Sequence, residues 1–164
     1  MLDSTINYAA LGWTPETVGE LDHRTLKAPS IKLRGALVGV GDDIVFCVDL
    51  RLRRPNADEY LSATELHSIE HFLLEGFQRQ MPQHFISVGV MGCQTGFYLI
   101  LLNEGRRDVI EDVVETILRG VLDATAVPYA RIDQCGHWQN HDLGRAQAIA
   151  REVLQHRTAW QDIA

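Results

Sequence analysis

The chain has 164 residues, 46% of them hydrophobic and 23% charged, with a net charge of -7. That is the balance of one globular domain with its own core. The 22 acidic residues against 15 basic ones argue against a nucleic-acid backbone or an anionic membrane as partner, and no apolar run approaches the roughly 20 residues that span a bilayer.

Residues 1–20 hold Gly12, Pro15 and Gly19 and show no sustained period. They read as an irregular, loosely attached N-terminal extension, without the basic start and apolar centre of a signal peptide. Residues 21–164 read as a single domain. Residues 31–40 and 44–52 read as strands joined by a turn at Gly41-Asp42-Asp43. In the second strand Ile44, Phe46, Val48, Leu50 and Leu52 alternate with Cys47, Asp49, Arg51 and Arg53, so one face is apolar and the other polar. Pro55-Asn56 ends it. Ser62 and Glu65 then have the spacing of a capping box. Leu66, Ile69, Leu73 and Phe77 recur at helical intervals until Pro82 stops the pattern.

Residues 85–90 and 95–102 read as two more strands, the latter apolar on both faces. From Val109 to Leu122 the apolar positions mark an amphipathic helix. A short extended piece over 130–134 leads to Cys135, and a last helix follows from Leu143 to Leu154. Hairpin, helix, hairpin, helix, helix is an α+β order. It predicts a two-layer sandwich, an antiparallel β-sheet with helices packed on one face.

The chemistry concentrates in a few places. His67 and His71 are four apart on a predicted helix. One turn takes about 3.6 residues, so both imidazoles leave the same side and can share one ion. Glu70 lies near that side, placed to move protons without binding the metal. The pattern is H-x-x-E-H. A third protein ligand is needed, with a position left open. Cys135, in Gln134-Cys135-Gly136, is one candidate, and His137 and His141 are its rivals. A thiolate with two imidazoles suits zinc, or ferrous iron in a reducing cell.

Three widely spaced cysteines, Cys47, Cys93 and Cys135, make no disulfide framework and suit the cytoplasm. Cys93 stands in the glycine-flanked turn Met91-Gly92-Cys93-Gln94-Thr95-Gly96, either incidental to a hairpin or an accessible thiol beside the metal. Asp49 and Arg51 read by default as a surface charge arrangement worth little energy. His23, alone, says nothing.

Taken together, His67-Ser68-Ile69-Glu70-His71, Met91-Gly92-Cys93-Gln94-Thr95-Gly96-Phe97-Tyr98 and Gln134-Cys135-Gly136 resemble, in order and spacing, the LuxS family of S-ribosylhomocysteine lyases. Leu21-Asp22-His23, Asp49-Leu50-Arg51 and Pro55-Asn56 match further family segments, and the likeness covers about residues 20 to 157. The resemblance implies a homodimer with its active sites at the subunit interface. It implies one divalent metal ion per chain held by His67, His71 and Cys135 plus a water, with ferrous iron first and zinc or cobalt as alternatives. It implies that Cys93 and Glu70 are the acid–base pair, and that His23 and Arg51 line the substrate site from the partner subunit.

The implied reaction moves the carbonyl of an open-chain thioether sugar through enediolates and then eliminates homocysteine. The other product is dihydroxypentanedione, the autoinducer-2 precursor. Val18 stands where the family commonly has serine, and Ser87-Val88-Gly89-Val90 where it commonly has Asp-Ile-Ser-Pro. In the family the latter stretch helps hold the amino-acid end of the substrate, so these departures make a paralogue acting on another thioether sugar a rival expectation. An inverted H-x-x-E-H zinc hydrolase and a non-catalytic metal- or ligand-binding protein are two more.

Overall fold

The computed structural model describes residues 2–164. Four strands, Ser30–Val38 (β1), Ile44–Arg51 (β2), Phe85–Val90 (β3) and Gly96–Leu102 (β4), form one antiparallel sheet in the order β1-β2-β4-β3. Three helices, Ala63–Gln80 (α1), Arg107–Asp123 (α2) and Leu143–Gln155 (α3), complete the α+β fold. The apolar positions of β2, Phe46, Val48 and Leu50, share one buried cluster with Leu33, Phe97, Leu99 and Leu101 of the sheet. Ile69, Leu73 and Phe77 of α1, Ile110, Val114 and Ile117 of α2, and Ile149 and Val153 of α3 fill its other side. The alternating strand and the helical stripes thus meet across a single core, and its burial is the main force holding the two layers together.

Local chemistry sets the element ends that matter for the site. The Ser62 side chain accepts from the Glu65 backbone N–H at 3.2 Å, and Glu65 accepts from the Ser62 N–H at 2.7 Å. This capping box begins α1 one turn ahead of His67. The turn after β3 is closed by Met91 N–H to Gly96 O at 2.9 Å and Gln94 N–H to Met91 O at 2.9 Å. Gly96 has no room for a side chain, because a Cβ there would overlap the Leu50 carbonyl oxygen. The residue that ends the cysteine turn is therefore the one that lets β4 press against the end of β2.

Three expectations need correction. Residues 130–134 are not extended. Arg131 N–H bonds Tyr129 O, and the N–H groups of Gln134 and Cys135 both bond Arg131 O, so the segment is a succession of turns. It has few apolar positions and no strand partner to hold it straight. The leading segment is not loose either. Leu2 and Val18 make parallel bridges to Ala36 and Leu33. Trp13 is 2% exposed, with its indole N–H donating to Gly105 O at 2.7 Å, because a tryptophan gains by burial only if that donor finds a partner.

Lastly, Asp49 and Arg51 are not surface charges. They are 1% and 2% exposed, and an Arg51 guanidinium nitrogen lies 2.6 Å from Asp49 Oδ2. Buried Lys32 joins them, 3.6 Å from Asp49 Oδ2 and donating to Gly19 O at 2.9 Å. The polar face of β1 and β2 is thus covered, and periodicity alone cannot see the cover.

Candidate metal centre and the cysteine turn

His67 and His71 leave the same side of α1, with ring centroids 4.7 Å apart. Each is oriented by a backbone carbonyl, His67 Nδ1 at 3.0 Å from Asn140 O and His71 Nδ1 at 2.7 Å from Pro128 O. A carbonyl oxygen only accepts, so Nδ1 carries the proton in both rings and Nε2 is left with a free lone pair. This is the outer support that ligand histidines need. The carbonyls come from the two segments that flank the 130–134 turns, and α1 holds one of them directly. Ser68 Oγ accepts from Asp142 N–H at 2.9 Å, and Thr64 Oγ1 bonds Asn140 Oδ1 at 2.5 Å.

The turns bring Cys135 back onto the histidines. Its Sγ lies 3.3 Å from His67 Nε2 and 3.7 Å from His141 Nε2. One donor atom from each of His67, His71, Cys135 and His141 falls within 4.8 Å of the others. Donors at tetrahedral zinc-like bond lengths stand about 3.3–3.6 Å apart, so the set fits a divalent ion with slight contraction. His137, the other sequence rival, is not in the group. His141 is also held neutral. Burial, then the neighbouring His67, His71 and His137, push its pKa down to about 4. Among the described residues no carboxylate joins the four, so the group lacks the carboxylate donor that an inverted H-x-x-E-H hydrolase would use.

Glu70 lies beside His67 in a cleft of about 350 Å³ whose far wall is Val90, Met91 and Gly92. Cys93 faces the other way. With His23, Tyr60 and Thr95 it lines a second depression of about 300 Å³, and Gln94 borders both. Within one chain the cysteine turn is thus a ridge between the two, and the expected acid–base pair does not share a depression. His23 is exposed, its Nδ1 3.1 Å from Leu21 O.

The surroundings of Cys93 favour its thiolate. Partial burial raises the thiol pKa, but the Thr95 hydroxyl and backbone N–H and the Arg51 guanidinium outweigh it, and the net shift is downward. The contacts are Thr95 Oγ1 at 3.0 Å and Arg51 Nη1 at 3.8 Å from Sγ. Arg51 Nη1 also donates to Thr95 Oγ1 at 2.5 Å, so Asp49, Arg51, Thr95 and Cys93 form one chain of polar contacts. Thr95 carries no signal of its own in the sequence beyond standing two residues after the cysteine.

Comparison with known proteins identifies the family. The family model described as S-Ribosylhomocysteinase (LuxS) matches residues 18–164. S-ribosylhomocysteine lyases of Halobacillus halophilus and Dichelobacter nodosus are 42% and 41% identical over 143 residues, 87% of this chain and 93% and 92% of theirs. The lyase of Staphylococcus aureus is 37% identical over the same length of alignment, covering 90% of its chain. The chain belongs to the LuxS family of S-ribosylhomocysteinases.

Proposed function

We propose that the chain is a carbon–sulfur lyase that cleaves the thioether of S-ribosylhomocysteine, giving homocysteine and dihydroxypentanedione, the precursor of the autoinducer-2 signal. The observation that carries this reading is the convergence of His67, His71 and Cys135 in one group, with Glu70 beside His67 on the neighbouring cleft. His67, His71 and Cys135 hold one divalent ion, ferrous iron first and zinc or cobalt as alternatives, since a thiolate with two imidazoles suits such borderline metals. When bound, that ion supplies Lewis acidity at the oxygens of the open-chain sugar.

The remaining work falls to side chains. Glu70 and Cys93 move the protons that walk the carbonyl along the sugar. In the last step the base takes the proton on the carbon adjacent to the carbonyl. The carbon–sulfur bond of the next carbon then breaks with its electron pair leaving on sulfur, so homocysteine departs as the thiol after protonation. Arg51 and Thr95 keep Cys93 available as thiolate for this task. His23 and Arg51 contact the substrate.

The active form is a cytoplasmic homodimer. Since Cys93 and Glu70 open onto different depressions of one chain, a second copy is what would bring such groups together at one substrate. Residues 21–164 are the metalloenzyme domain and 1–20 an extension fastened to it. Among the described residues no helix is long and apolar enough to cross a membrane.

The test is a thiol-release assay on S-ribosylhomocysteine under anaerobic, iron-loaded conditions. Stoichiometric appearance of free thiol supports the reading. Metal-loaded, folded protein that releases none overturns it and leaves a binding role.

A further inference from the structure

Charged side chains are seldom buried unless something close by balances them. The polar face of β1 and β2 buries three. Lys32, Asp49 and Arg51 are 3%, 1% and 2% exposed. Lys32 and Asp49 stand directly opposite each other across the strand pair. Asp49 Oδ2 lies 2.6 Å from Arg51 Nη2 and 3.6 Å from Lys32 Nζ, and Oδ1 has no hydrogen-bond partner. The longer distance is outside hydrogen-bond range, so Lys32 acts on the carboxylate by charge. Its hydrogen bond goes to Gly19 O, at 2.9 Å. The other guanidinium nitrogen of Arg51, Nη1, reaches Thr95 Oγ1 at 2.5 Å and lies 3.8 Å from Cys93 Sγ.

The charges alternate along this row: ammonium, carboxylate, guanidinium, thiolate. One carboxylate cannot balance two cations, so the first three groups carry a surplus positive charge, and the cation next to Cys93 is Arg51. With a neutral side chain at position 32, Asp49 and Arg51 would balance each other and the sulfur would face a neutral pair. The neighbouring groups do not supply that charge. Glu20 and Arg34 pair with each other at 3.2 Å. Burial raises the pKa of Tyr98 and of Cys47, which keeps both uncharged. His23 and Tyr60 line the depression of Cys93 but are exposed, where water screens them. Burial lowers the pKa of Lys32 itself, and Asp49 and Glu20 oppose that change.

We propose that Lys32 is a positioning residue for the Cys93 thiolate: its buried ammonium offsets part of the Asp49 charge and leaves Arg51 free to act on the sulfur. Lys32 touches neither the sulfur nor the thioether sugar, and it works through Asp49 and Arg51. The inference rests on the reading above only for what the thiolate does, not for its existence.

The experiment compares full-length wild type with Lys32→Gln, Lys32→Met and Lys32→Arg. Gln keeps a donor for Gly19 O without the charge, Met keeps neither, and Arg keeps the charge. Ionisation of Cys93 is read as the pH dependence of its alkylation by iodoacetamide, followed at the Cys93 peptide by mass spectrometry. Circular dichroism establishes folding. Loss of a cation disfavours the thiolate, so the midpoint moves to higher pH. The expected rise is about one pH unit in K32Q and K32M, the low end for loss of a nearby opposite charge, and less than about half of that in K32R. The acid limb of thiol release from S-ribosylhomocysteine rises with it.

An unmoved midpoint in the folded neutral variants overturns the inference. So does a shift in K32R as large as in K32Q, because shape rather than charge would then be responsible. Neutral variants that do not fold make Lys32 a structural residue and overturn it as well. The expected shifts in a protein that releases no thiol support this inference while the lyase reading fails.

Discussion

Cys93 is the exposed cysteine of the three, and its thiol is held below the ordinary range while burial pushes that of Cys47 up. The difference lies in what each touches. Cys93 has a hydroxyl, a backbone N–H and a guanidinium around Sγ, and these outweigh desolvation. For Cys47 desolvation outweighs Arg34. A thiolate base with a lowered pKa stays active to lower pH than an ordinary thiol, and activity falls as pH drops through that pKa. Thr95→Val removes the hydroxyl and should move both the acid limb of the rate profile and the thiolate ultraviolet titration to higher pH. An unmoved titration would detach Thr95 from the thiolate. Cys93→Ala should leave metal content intact and abolish thiol release, and retained turnover there would sink the proton-transfer role.

At the scale of the element, two features position the site at some cost to tolerance. The capping box starts α1 one turn before His67, and Ser62→Ala should lower unfolding free energy by about 1 kcal/mol in urea titration, the usual worth of such a cap. The buried polar ladder of β2 is less forgiving. Asp49 and Arg51 lie side by side with almost no exposure, so Arg51→Ala leaves a carboxylate in the interior with only Lys32 beside it. Breaking a buried pair from one side costs about 3–5 kcal/mol, and the same change removes a guanidinium from Cys93. Stability and the Cys93 titration should therefore both shift in this variant. A loss under about 1 kcal/mol would place the pair in a far more solvated setting than the structure gives it.

Across the whole molecule, the fold joins segments that are far apart in sequence. Candidate ligand residues from α1 and from the 130–141 loop meet in one group, so a bound metal would tie the start of the helical layer to the loop before α3. Binding only to the folded state stabilises it. Chelation should lower the melting temperature and loosen hydrogen-exchange protection around residues 128–142 first, and uniform loosening would argue that the loop is held without the ion. Trp13 fastens the leading segment at the far side of the core, and Trp13→Ala should cost about 3–5 kcal/mol, where a loose tail would cost nothing. Sedimentation should show twice the mass of one chain if two copies complete the substrate site.

Much of this was open to reading in the sequence because its signals are local. Alternation in 44–52, the helical stripes of α1, α2 and α3 and the Ser62–Glu65 box depend on neighbours within a few residues, and the α+β order follows from them. So does the pairing of His67 with His71, one helical turn apart, and the shared motifs that mark the LuxS family. The tertiary structure alone decided the rest. It buried Asp49 and Arg51, since what covers a polar strand face arrives from distant residues. It seated Trp13, turned 130–134 back on itself, and set Thr95 and Arg51 around Cys93. It also separated His141 from His137, two histidines four apart in one loop. Only the fold says which of them reaches Cys135 and that its Nδ1 has no partner, because no period governs where an irregular loop sends its side chains.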